Sequence, residues 1–144
     1  MAKKKFDAGK KIIVVSGTRK SSKARATIQE GTGRILINKK PIEIFNTFQR
    51  LSLSEPLVIA EDVLKEKMKQ MDINVTVRGG GTESQIEAAR LAIARAILAF
   101  NKSSELRNAF FKYDRMLLVA DTRRKEQRKP NDSKARAARQ KSYR

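Results

Sequence analysis

The 144 residues contain no cysteine, no histidine and no tryptophan. Without cysteine there is no disulfide scaffold, no thiolate zinc cluster and no thiol nucleophile. Without histidine, Ser-His-Asp catalysis and most transition-metal sites are excluded as well. Aromatic residues make up 6% of the chain, and no aromatic-glycine strand of the RNA-recognition-motif kind occurs. No apolar run approaches the roughly 18 residues of a membrane-spanning helix. The start, Met1 to Phe6, is lysine-rich and lacks the apolar stretch of a signal peptide. The carboxylates form no DxD or ExxH cluster. Glu61 and Asp62 are neighbours that point apart on a helix, and Asp72, Glu83 and Glu87 are scattered. No catalytic residue, metal site or cofactor is expected.

Negative charge is the scarcest commodity. Fifteen Asp and Glu face 33 Lys and Arg, a net of +18. The excess is concentrated at the ends. Residues 1–27 hold nine cations and one acid, and residues 122–144 hold ten cations and two acids, so each segment carries +8. The 94 residues between carry 14 cations and 12 acids, only +2. Two such segments repel themselves unless a polyanion screens them, which points to nucleic acid before an anionic membrane surface. The tail 122–144 also has no Leu, Ile, Val, Phe or Met, too little apolar surface to fold alone. Three parts follow: a basic arm at 1–10, a globular nucleic-acid-binding domain at 11–121 and an extended basic tail at 122–144.

Within the domain, Ile12–Val15 reads as a short buried strand, followed by a small-residue basic loop from Ser16 to Lys23. Ala24, Ala26 and Ile28 alternate with Arg25, Thr27 and Gln29, a half-buried strand. Glu30–Gly33 is a turn, and Ile35–Ile37 is expected to return beside the previous strand as a hairpin. Pro41 suits the start of a short helix bearing Ile42, Phe45 and Phe48 as core residues. A second helix is expected to open at Pro56, with Leu57, Ala60, Leu64 and Met68 on one stripe. Ile73, Val75 and Val77 alternate into Gly79-Gly80-Gly81. A long helix over about 83–100 follows, opened by a Thr82-x-x-Gln85 capping box and buried through Ile86, Ala89, Ile93, Ile97 and Phe100. Ser103 or Ser104 caps another helix through Phe111, and Met116–Ala120 reads as a last strand. The fold class is α+β, a mixed sheet of about four or five strands packed against helices.

Two places can hold phosphates. The loop cations Arg19, Lys20, Lys23 and Arg25 stand among Gly and Ser, which let a backbone approach while the charges neutralise it. Gly79, Gly80 and Gly81, after Arg78, form a strand-to-helix turn that is either an anion cradle or simply a tight turn. It is neither a dinucleotide fingerprint nor a P-loop. Arg90 pairs with Glu87 on a solvated helix face, and Arg95 is within reach of RNA. In the tail, Tyr143 is either a stacking or backbone contact for RNA or an unengaged terminal ring.

Three segments carry a resemblance: Gly17-Thr18-Arg19-Lys20-Ser21-Ser22-Lys23-Ala24-Arg25-Ala26; Val75-Thr76-Val77-Arg78-Gly79-Gly80-Gly81 with the helix through Gln85 and Ala92–Ala96; and Asp121-Thr122-Arg123-Arg124 through Lys129-Pro130, Lys134–Ala137 and Gln140–Arg144. In this combination, over roughly residues 10–144, the chain resembles the universal small-subunit ribosomal protein family numbered nine, in its archaeal/eukaryotic-type form. The resemblance implies a structural, non-enzymatic, cytoplasmic constituent of the small ribosomal subunit with no cofactor. It implies a sheet backed by helices on one side with a left-handed βαβ crossover. It also implies binding to rRNA of the subunit head, among neighbouring ribosomal proteins, and a tail that threads rRNA toward the decoding region and P-site tRNA. The rRNA residues would be Arg19, Lys20, Lys23, Arg25, Arg78, Gly79, Gly80, Gly81, Arg123, Arg124, Arg128, Lys129, Lys134, Arg136 and Arg139. The tRNA residues would be Lys141, Ser142, Tyr143 and Arg144. The alternatives are a non-ribosomal basic RNA- or DNA-binding protein and a small phosphate-handling enzyme built on the glycine turn.

Overall fold

The computed structural model describes residues 11–128. The arm at 1–10 and the tail beyond Arg128 lie outside them. Five strands form one mixed sheet in the order β1-β2-β5-β3-β4. β1 (Ile13–Arg19), β2 (Ser22–Glu30) and β5 (Met71–Arg78) run antiparallel in turn, while β3 (Ile35–Ile37) lies parallel to β5 and antiparallel to β4 (Lys40–Pro41). The helices are α1 (Thr47–Leu64), α2 (Thr82–Asn101) and α3 (Ser104–Tyr113). The parallel pair β3/β5 is connected through α1, which makes the βαβ unit.

Period-two alternation decides which face is covered. Ala24, Ala26 and Ile28 of β2 and Ile73, Val75 and Val77 of β5 are buried, and they meet Ile86, Ala89, Ile93 and Ile97 of α2 in one core. Alternation in β2 pairs Ala24 with Val77, Ala26 with Val75 and Ile28 with Ile73. Small residues on β2 let α2 come close. On β1, Gly17 also lies against α2: a Cβ there would collide with the Ala88 carbonyl oxygen and lie 2.8 Å from the Ala92 nitrogen. Only glycine fits there.

Several expected elements differ. The basic segment after Val15 is not a loop: β1 continues to Arg19 and turns at Lys20, so the cations are set on a hairpin. Alternation of Ser, Thr and Arg supports strand geometry as well as apolar residues do when only one face is covered. β1 is an edge strand, and Val14 is exposed rather than buried. β3 does not pair with β2, because β5 takes that position with an eight-residue ladder that three residues cannot match. Asp72 holds the intervening turn, accepting from the Thr32 and Arg34 amides at 2.8 and 2.9 Å. Burial works against its ionised form, yet these backbone donors and the Arg34 charge leave its carboxyl below the usual range.

α1 begins nine residues before Pro56, which lies buried inside it. Packing of Leu53, Pro56 and Ala60 stabilises the helix despite the missing amide donor. Pro41 instead leads a single 3-10 turn at Ile42–Ile44, and Phe48 is 83% exposed rather than in the core. α2 is capped by Gly81, not Thr82: the Ser84 hydroxyl reaches back to accept from the Gly81 amide at 3.1 Å. Ser103 caps α3 as expected. Met116–Ala120 is not a strand. The Asp114 carboxylate accepts from the Met116 amide and opens a 3-10 turn at Arg115–Leu117, which Leu117 anchors in the core.

Candidate nucleic-acid interface

The sheet face away from the helices is open, and its cations gather at one end. In register, Thr18 faces Lys23, which faces Arg78, while Ser16 faces Arg25, which faces Thr76. These six residues and Ala24 line a concave groove of about 520 Å³. Lys23, Arg25 and Arg78 are exposed there, and no carboxylate lines the groove among the described residues. Three cations beside three hydroxyls, without a competing anion, constitute phosphate-contact chemistry. The hydroxyls of Ser16, Thr18 and Thr76 are the part that the sequence reading overlooked. The signal was available, since each shares strand parity with a named cation or a neighbouring hydroxyl.

The glycine turn lies beside the same end. A Cβ on Gly79 would lie 2.7 Å from the Ser21 carbonyl oxygen, so the turn and the hairpin tip Lys20-Ser21 touch. Gly79 and Gly80 both adopt positive φ, 77° and 69°. Ser22 is fully buried beneath them. Its hydroxyl donates to the Gly79 carbonyl at 2.9 Å and pairs with the Ser84 hydroxyl at 2.8 Å. Gln85 Nε2 donates to the same carbonyl at 3.1 Å. A Cβ on Gly80 would collide with both serine hydroxyls. Thus Gly79 and Gly80 close a tight, internally bonded turn, while Gly81 faces open space at the α2 N-terminus.

Arg19 is placed on the helix side, apart from Lys23 and Arg25. Its guanidinium pairs with Glu87 of α2 and with Asp121 at the base of the tail. Arg123 closes on the same carboxylate, its Nη2 at 2.6 Å and its amide at 2.8 Å. These Arg123 hydrogen bonds, with the Arg19 charge, hold the Asp121 carboxyl far below the usual carboxylate range, and Asp121 in turn raises Arg123. The tail therefore leaves the domain at a charge-paired knot linking β1, α2 and residue 121. Arg90 and Arg95 are likewise internal braces. Arg90 joins Glu55 and Asp114 rather than Glu87. Arg95 donates to the carbonyls of Leu118 and Ser16 at 2.8 and 2.9 Å. Arg124 and Arg128 are exposed. Lys129, Lys134, Arg136, Arg139, Lys141, Ser142, Tyr143 and Arg144 lie outside the described residues.

The family model described as ribosomal protein S9/S16 matches residues 17–144, which takes in the hairpin, the glycine turn and the tail. The chain belongs to the ribosomal protein S9/S16 family. It is similar to the small ribosomal subunit protein uS9 of Methanococcus vannielii, 45% identical over 137 residues, covering 93% of this chain and 99% of that protein. Membership makes it a ribosomal protein of the small subunit. Among the described residues no helix is long and apolar enough to cross a membrane.

Proposed function

We propose that the protein is a structural, non-catalytic constituent of the small ribosomal subunit in the cytoplasm, docked on rRNA of the head through the cationic end of its open sheet face. The observation that carries this reading is the groove formed by Lys23, Arg25 and Arg78 with Ser16, Thr18 and Thr76. Lys20 at the hairpin tip and the Gly81 end of α2 extend it. Arg19, its charge already balanced by Glu87 and Asp121, serves by fixing the departure of the tail. The tail then continues along rRNA with Arg123, Arg124, Arg128, Lys129, Lys134, Arg136 and Arg139. Lys141, Ser142, Tyr143 and Arg144 reach P-site tRNA. Any 23 residues, if fully extended at about 3.3 Å each, would span roughly 75 Å, so the reach that a segment as long as 122–144 could have exceeds a radius of gyration of about 14 Å for a domain of this size.

The test is the salt dependence of binding to small-subunit head rRNA. Replacing Lys23, Arg25 and Arg78 together by alanine should lower the slope of log K against log salt by about 2–3, one phosphate contact for each cation. An unchanged slope with an intact fold would remove the sheet face from the interface.

A further inference from the structure

One element runs against the charge of the molecule. Residues 42–64 carry four carboxylates, Glu43, Glu55, Glu61 and Asp62, against one cation, Arg50, in a chain of net charge +18. Within α1, Leu53, Pro56 and Ala60 face the core. The opposite ridge presents Leu51 and Val58, seven residues apart and 56% and 55% exposed, with Phe48 beside Leu51. At 3.6 residues per turn, Leu51, Glu55, Val58 and Asp62 share one line along the helix. Glu61 flanks Val58 on the other side. Glu55 is bound to Arg90, whereas Glu61 and Asp62 are exposed and form no ion pair among the described residues. Large apolar side chains aligned on a solvent ridge mark an association surface, in contrast to apolar residues scattered singly.

We infer that the outer ridge of α1 is a docking surface for a basic protein segment, a neighbouring protein of the assembled small subunit, and not for RNA. Charge complementarity selects the occupant. Glu61 and Asp62 repel phosphates, and Phe48, Leu51 and Val58 offer nothing to a nucleic-acid backbone. A segment with apolar side chains flanked by Lys or Arg satisfies both parts of the ridge, in the manner of helix-in-groove recognition. The surface is also separate from the sheet face, since α1 packs on α2 with its buried side while Lys23, Arg25 and Arg78 open from the far side of the sheet. One domain can therefore hold RNA and protein at once. The inference rests on membership of the small-subunit family and not on the assignment of the rRNA groove.

The experiment places a benzophenone amino acid at Val58, and separately at Leu51, in the full chain and irradiates assembled small subunits. Cross-links to a protein through a Lys- or Arg-rich segment are expected. Cross-links to rRNA, to a second copy of this chain, or to nothing at both positions would overturn the inference. In parallel, Leu51→Glu with Val58→Glu should keep the melting temperature and the rRNA salt slope, because both positions are exposed. The same variant should lower retention of that neighbouring protein by about ten-fold, as for loss of a central apolar anchor. The alanine variant of Lys23, Arg25 and Arg78 should behave oppositely, weakening rRNA binding and leaving the α1 cross-link in place. A charge-reversed ridge that retains the neighbour at the wild-type level would equally reject the idea.

Discussion

Gly80 and Gly81 are adjacent and identical in sequence, yet the structure separates their roles. Gly80 has φ of 69° above two serine hydroxyls that bond each other. Gly80→Ala therefore meets both backbone strain and a collision, and should destabilise the fold by about 2 kcal/mol or more, read as a lower melting temperature. Gly81→Ala keeps an ordinary φ of −96° and has no neighbour within 4 Å of the new methyl group. It should cost less than about 1 kcal/mol, the N-cap preference of glycine over alanine. Gly81 is thus the position at which reduced rRNA affinity reports close approach of a phosphate. Asp121 supplies a pH dependence. Its folded-state pKa is depressed by Arg123 and Arg19, so its stabilising contribution is present above the unfolded value of about 3.9 and is lost as pH falls below it. Thermal melts from pH 6 to pH 2 should show a decline beginning near pH 4 that is shallower in Asp121→Asn. Parallel curves for the two proteins would mean that the knot at the tail base contributes nothing to stability.

Among the elements, legibility in the sequence tracked whether local pattern or distant partner decided the outcome. β2, β5 and α2 were readable because their alternation or helical stripe is the same pattern that the core selects, Ala24 to Ile28 against Val77 to Ile73. Where partners decided, the pattern misled. Ile35–Ile37 alternates equally well beside β2 or β5, and only the longer β5 ladder and the Asp72-held turn choose between them. Met116–Ala120 has strand composition, but Asp114 and Arg95 claim its backbone groups. The groove cations are visible in the sequence as residues, while their grouping is hidden: Lys23 and Arg78 are 55 positions apart and meet only through strand register. Arg19 shows the converse, since strand parity turns it toward Glu87 and away from Lys23. β3 also depends on one side chain. Asn38 prolongs the ladder past Ile37, its Oδ1 accepting from the Val77 amide at 2.8 Å while its Nδ2 donates to the Val77 carbonyl at 3.3 Å. It does so from φ of 49°, a conformation asparagine tolerates better than most residues. Asn38→Ala should cost about 1–2 kcal/mol, with hydrogen exchange at the Val77 amide faster by about ten-fold or more. Unchanged protection of that amide would show that the side-chain bridge is dispensable.

Across the whole molecule, the apolar core and the cationic charge occupy different lengths of chain. Among the described residues, the core and its packed neighbours end at Leu118. Residues 129–144, which include Pro130, add six cations, Lys129, Lys134, Arg136, Arg139, Lys141 and Arg144. Removing them should leave the melting temperature within about 1 °C, because the segment has no Leu, Ile, Val, Phe or Met to give to a core. The same deletion should lower the rRNA salt slope by about 4–5, at 0.7–0.9 per phosphate contact. That exceeds the loss of about 2–3 expected for the sheet face, so the tail would supply the larger share of the electrostatic affinity while the sheet face fixes position. A shorter deletion separates rRNA from tRNA. Truncation after Lys141 removes only Ser142, Tyr143 and Arg144 and keeps five of those six cations, so small subunits should assemble in normal yield. The Arg144 guanidinium presents a planar fork suited to a phosphate, and the Tyr143 ring a face for stacking. Loss of one charge-assisted hydrogen bond is worth on the order of 1 kcal/mol, so under the proposed function P-site tRNA dissociation should rise by about five-fold, and by more at low salt. Dissociation measured on the truncated subunits is the readout. A normal rate, or subunits that fail to assemble, would overturn the proposed contact of these three residues with P-site tRNA.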